Sequence, residues 1–112
     1  MTECLFCKMV LGVIKPNVVY ENDYVLAFKD INPQAPVHIL IIPKTHVATL
    51  NELDNIELSG QLLLAVNQVA QQENLSEAGY RTVINCNKNG GQEVYHLHLH
   101  LLGGRQMRWP PG

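Results

Sequence analysis

No stretch of this chain approaches the ~20 consecutive apolar residues that a membrane-spanning helix needs. The longest apolar stretch is broken by His38 and closed by Pro43. There is also no basic run, and the formal net charge of −2 supplies no pull toward a nucleic-acid backbone. A small phosphate ligand stays compatible with that balance. Cysteine is scarce. Three cysteines are an odd number and do not make a disulfide framework, so Cys4-x-x-Cys7 reads as metal or redox chemistry in a reducing compartment. The leading residues lack a secretory pattern, because Glu3 stands where a basic start belongs and Lys8 interrupts the apolar run. The expectation is a cytoplasmic protein with neither nucleic acid nor membrane as partner. Internal repeats and low-complexity segments are absent.

What is present fits one folded domain over residues 1–112, with 46% hydrophobic residues to build a core. A short helix is expected over 4–11, with Leu5, Phe6 and Met9 as its apolar side and Gly12 as its stop. Val18–Tyr20 and Tyr24–Phe28 flank the polar turn Glu21-Asn22-Asp23 and read as a hairpin. Asp30–Pro36 is a loop, since two prolines prevent regular pairing, and Val37–Ile42 is a strand. Asp54-Asn55-Ile56-Glu57 has the form of a capping box that starts at Asp54. After it, Leu58, Leu62, Ala65, Val66, Val69 and Ala70 recur at helical spacing and should cover a sheet. Tyr80–Cys86 reads as a strand, Asn87–Gln92 as a glycine-bearing loop, and Val94–Leu102 as a last strand. Hairpin-like strands with one long helix predict an α+β fold.

The densest signal lies in that last strand. In His96-Leu97-His98-Leu99-His100-Leu101-Leu102, a period of two puts three imidazoles on one face and three leucines on the other. Such a face suits metal binding, acid–base work or nucleophilic catalysis. A neutral imidazole attacks phosphorus well, and an unperturbed pKa of ~6.5 keeps much of it neutral near pH 7. His98 is the middle residue, with a histidine on either side to orient it. The glycine loop just upstream can bring backbone N–H groups against a phosphate.

The run matches the His-φ-His-φ-His-φ-φ signature of the histidine triad (HIT) superfamily of nucleotide hydrolases and transferases. Asp30–His38, Ile42–His46, Gly90–His96 and Gly103–Gly112 further resemble its histidine triad nucleotide-binding (Hint) branch. The likeness spans nearly the whole chain. It implies a five-stranded antiparallel sheet with one long and one short helix. It also implies a homodimer joined through the long helix and the strand after it, giving one ten-stranded sheet.

For chemistry, the resemblance implies a purine nucleoside 5′-phosphoramidate hydrolase, with acyl-adenylates as further substrates. His98 would be the nucleophile that forms a nucleotidyl-histidine, His100 a phosphate-contacting partner, and His38 a support for tautomer and proton traffic. Asp30 would bind the ribose hydroxyls. Phe28, Ile31 and Leu40, with Phe6 and Met9, are candidates for the purine pocket. Asn85 and the segment Gln92, Glu93 and Val94 would form the phosphate-binding part. Trp109 would cap a partner subunit's site. Glu93 stands where some members carry serine, and it is expected to offer its backbone N–H with the carboxylate turned away. No cofactor takes part in this reaction. Two cysteines one turn apart need two further ligands for tetrahedral zinc; the likeness implies a structural Zn²⁺ held by Cys4, Cys7, His46 and His96. Other readings are a dinucleoside polyphosphate hydrolase, a nucleotide-binding regulatory protein with incidental activity, and a hydrolase whose histidine strand and cysteines form one catalytic zinc site.

Overall fold

A computed structural model describes residues 3–112; Met1 and Thr2 of the expected domain lie outside the described residues. Strands β1 (Val18–Glu21), β2 (Val25–Lys29), β3 (Val37–Pro43), β4 (Tyr80–Val83) and β5 (Leu99–Gly103) form one antiparallel sheet in the order β1-β2-β3-β5-β4. Helix α1 covers Leu5–Val10, α2 covers Ile56–Gln72, and α3 is a single turn at Asn87–Gly90. The α+β architecture expected from the sequence is present. Among the described residues no helix is long and apolar enough to cross a membrane.

The alternation of a strand divides the interior into two clusters. Odd-numbered residues Val25, Ala27, Ile39, Ile41, Leu97, Leu99 and Leu101 pack against Leu58, Leu62, Ala65, Val66, Val69 and Ala70 of α2. Even-numbered residues Leu26, Phe28, Leu40 and Ile42 turn to the opposite face and meet Phe6 of α1. A fully buried leucine or isoleucine stabilises by about 1.5–3 kcal/mol, and the α2 side supplies most of those. Gly103 lets this core close, because a Cβ there would lie 2.7 Å from Leu75.

Four expectations are corrected. The cap of α2 is Asn55 and not Asp54: its side chain accepts from Leu58 N at 3.0 Å. Glu57 is then one position too early for a reciprocal box and accepts from Gln61 Nε2 at 3.2 Å instead. Leu5 of α1 faces outward at 41% exposure, while Phe6 and Cys7 are the buried pair. The segment 87–90 is helical, ended by Gly91 in the left-handed region at φ 79°. Finally, β4 stops at Val83 and β5 begins only at Leu99. Upstream of Leu99 the backbone leaves the ladder, because Leu97 N donates to Val47 O at 2.7 Å. His96 and His98 therefore precede the strand, yet still face the α1 side.

Candidate active site and metal centre

Two groups of polar side chains lie on the α1 face. In the first, the side chains of Cys4, Cys7, His46 and His96 converge, with donor atoms all within 4.8 Å of one another. Cys4 caps α1 and Cys7 lies one turn on, so helix geometry aims both sulfurs the same way. His46 follows the end of β3, and His96 is fully buried beneath α1. His96 Nε2 lies 2.8 Å from the Pro43 carbonyl. A carbonyl only accepts, so Nε2 carries the proton and Nδ1 keeps its lone pair. That lone pair faces Cys4 Sγ at 3.3 Å, Cys7 Sγ at 3.5 Å and His46 Nδ1 at 3.2 Å. Burial pushes the basicity of His96 down and the Cys7 thiol up.

This set fits a tetrahedral ion. Zinc bonds of about 2.3 Å to sulfur and about 2.0–2.1 Å to nitrogen separate ligands by about 3.3–3.8 Å. The observed N···S and N···N separations run from 3.2 to 3.5 Å. A carbonyl behind a ligating imidazole is also the usual outer partner of a metal-bound histidine.

The second group is His98, His100, His38 and Asp30, and each tautomer follows from its neighbours. Gln34 N donates to His38 Nδ1 at 3.0 Å, so the proton of neutral His38 sits on Nε2. From there it donates to His100 Nδ1 at 3.0 Å, with Asp30 Oδ2 as a longer partner at 3.4 Å. Burial lowers the pKa of His38 against the pull of Asp30, so the contact joins a neutral ring to a carboxylate. His100 is consequently protonated on Nε2. That atom is buried and has no hydrogen-bond partner among the described residues, and burial, then the charges of His98 and His38, lower its pKa to about 4. His98 Nδ1 donates to the His96 carbonyl at 2.7 Å. Its Nε2 is then the bare nitrogen. Although Asp30, His38 and His100 also cluster closely enough to suggest ligands, His38 Nε2 bears a proton and has no lone pair to give a metal.

The aromatic surroundings are specific. The Phe6 ring meets His98 edge-on at 5.2 Å, Phe28 at 5.5 Å and His96 at 5.8 Å between centroids. Phe28 and Leu40 are buried in the same cluster, to which Met9 and Val94 are attached. A groove of about 360 Å³ runs between α1 and β1, bordered by Met9, Val10, Ile14 and Leu26. Ile31 is fully exposed beside Asp30. Asn85 is half-buried, Glu93 is exposed, and neither makes a side-chain hydrogen bond among the described residues. Trp109 is 81% exposed, with the Arg81 guanidinium 5.9 Å over its ring.

Gln92, in the segment expected to bind phosphate, has its side chain bonded to backbone groups. Its Oε1 accepts from Asn87 N at 2.9 Å, and its Nε2 donates to Ala48 O and Val94 O. The amide is consumed in holding the loop together. The sequence reading also missed the backbone groups of Gln34, Pro43 and His96, which set three histidine tautomers. No side-chain pattern announces a backbone donor or acceptor.

A HIT domain family model matches residues 12–107. The chain belongs to the HIT domain family. A 14 kDa zinc-binding protein of Zea mays is 56% identical over 113 residues, covering 96% of this chain and 87% of its own. A purine nucleoside phosphoramidase of Escherichia coli is 45% identical over 107 residues, covering 94% of this chain and 90% of its own. The crystal structure of a HIT family hydrolase from Legionella pneumophila superposes with a TM-score of 0.96 at 58% identity, covering 98% of this chain and 100% of that one. These likenesses agree with the Hint-branch resemblance of the sequence motifs.

Proposed function

We propose that this HIT protein hydrolyses purine nucleoside 5′-phosphoramidates through a covalent nucleotidyl-His98 intermediate. The observation that carries this reading is the proton arrangement around His98. With Nδ1–H held by the His96 carbonyl, Nε2 is a lone-pair nucleophile. Attack forms the Nε2–P bond and breaks the P–N bond, and the amine leaves with a proton taken up from solvent, which the attacking water later returns. Because Nδ1 keeps its proton, the nucleotidylated ring is cationic and yields readily to water, which releases the nucleoside monophosphate and restores His98. The unpartnered Nε2–H of His100 is a buried donor suited to a phosphoryl oxygen, where charge builds up in the transition state. His38 and the Gln34 N–H keep that donor aimed.

Asp30 would accept from ribose hydroxyls, while its Oδ1 also closes a turn by accepting from Asn32 N at 2.8 Å. Phe28, Leu40, Met9 and the exposed Ile31 provide apolar surface for a purine. Asn85 and the backbone of Glu93 and Val94 are the proposed phosphate contacts, and Gln92 positions them. Acyl-adenylates present an equivalent leaving group on the same phosphorus and belong to the proposed substrates.

Cys4, Cys7, His46 and His96 would hold a structural Zn²⁺; all four positions are taken by protein, so none is left open for substrate. We also infer a cytoplasmic homodimer, to which Trp109 adds a cap on the partner's site. The solvent-facing Leu63 and Leu64 of α2 and the free edge of β4 support that pairing. The test of the activity is AMP release from adenosine 5′-phosphoramidate. His98→Ala should lose at least about a thousandfold in kcat. Undiminished release by the folded variant would refute the nucleophile.

A further inference from the structure

One peptide group joins the two histidine clusters. The amide between His96 and Leu97 is held at both ends: its N–H donates to the Val47 carbonyl at 2.7 Å, and its C=O accepts from His98 Nδ1 at 2.7 Å. Val47 adjoins His46, and the His96 ring sits in the Cys4–Cys7–His46 cluster. The plane that presents the carbonyl to His98 is therefore anchored by the His96 ring on the peptide itself and by Val47, the neighbour of His46. A side-chain link runs parallel to it. Phe6 lies between Cys4 and Cys7 on α1, is 3% exposed, and sets its ring edge-on to His98 and His96.

We propose that the His96–Leu97 peptide and Phe6 are positioning elements through which the Cys4–Cys7–His46–His96 centre holds His98 with its proton on Nδ1 and its bare Nε2 toward substrate. If the cluster loosens, the peptide plane can turn and α1 can lift. His98 then samples the other tautomer, whose Nε2 is protonated and cannot attack. Substrate contacts made by other residues are untouched, so the loss falls on kcat and leaves KM alone. The inference rests on the reading of His98 as nucleophile and of the four-residue cluster as a zinc site.

The experiment compares full-length protein loaded with Zn²⁺ and stripped by a chelator. It measures ring ¹H–¹⁵N long-range NMR correlations of His98 alongside kcat and KM for adenosine 5′-phosphoramidate. Expected are a single Nδ1–H tautomer in the loaded protein, mixed tautomers in the stripped protein, and about a tenfold lower kcat at constant KM. Re-addition of Zn²⁺ should restore both. A stripped, folded protein with the same His98 tautomer and the same kcat overturns the proposal, as does a protein that binds no Zn²⁺. If stripping unfolds the chain, zinc-loaded Phe6→Leu decides. Retained metal with mixed His98 tautomers and a reduced kcat supports the coupling, and unchanged values overturn it. His98→Ala, run in parallel, separates the two levels. Continued AMP release there sinks the underlying mechanism. Its loss, with identical loaded and stripped wild type, sinks only the coupling.

Discussion

The two faces of the sheet are made from alternate residues of the same strands, yet they do different work. On the α2 side, Ile39, Ile41, Leu97, Leu99 and Leu101 meet a helix that offers only apolar side chains. On the α1 side, His38, His96, His98 and His100 share space with Phe6, Phe28 and two thiols. Burying neutral imidazoles is tolerable only where each ring atom finds a partner. The α1 face supplies them almost completely, from Gln34 N, Pro43 O, His96 O and neighbouring rings. Among the described residues, His100 Nε2 alone is left buried without one. A single unmet donor in an otherwise satisfied network is a place where a phosphoryl oxygen can gain more than water could.

The contrast between faces can be broken by substitution. Leu62→Ala empties a site that is 2% exposed under the sheet, and should cost about 2–5 kcal/mol in denaturant melts while leaving kcat of the folded fraction unchanged. A lowered kcat in that fraction would show that the α2 face reaches the chemistry. His38→Ala is the converse. It removes the group that fixes His100, and kcat should fall about a hundredfold while stability changes less than in Leu62→Ala. Equal activity would mean that His100 orients itself unaided.

Acid sharpens the same distinction more gently. The folded state keeps His38 and His100 neutral, His100 down to about 4, whereas unfolded histidines protonate near ~6.5. Between these values the unfolded chain binds more protons, so stability is full above about 6.5 and declines as pH falls toward about 4. Melting temperatures at pH 7.5 and 5, with chelator present throughout, should be lower at pH 5. In His38→Ala the drop should be smaller. An identical drop in both proteins would place the acid sensitivity elsewhere.

The α2 face was legible because it depends on period alone. Leu58, Leu62, Ala65, Val66, Val69 and Ala70 all turn inward as their spacing requires. The alternating run His96–Leu101 likewise set its histidines and leucines on opposite faces, and the loop at 30–36 contains no strand. The α1 face was legible only as a set of residue types. Spacing cannot reveal that Leu97 N leaves the ladder for Val47, or that Gln92 spends its amide on Asn87, Ala48 and Val94. Nor can it choose between adjacent caps such as Asp54 and Asn55, which differ by the path the chain takes into the helix. In α1, six residues offer too short a pattern to tell that Cys7, and not Leu5, faces in.

The most direct test of the mechanism is rapid-quench intact mass spectrometry without acid, using adenosine 5′-phosphoramidate and both wild type and His98→Ala. The account predicts a transient adenylyl adduct on wild type, mapped to His98, that appears and decays ahead of AMP, and none on the variant. An adduct of equal size on folded His98→Ala, or AMP released by it at the wild-type rate, would contradict the account.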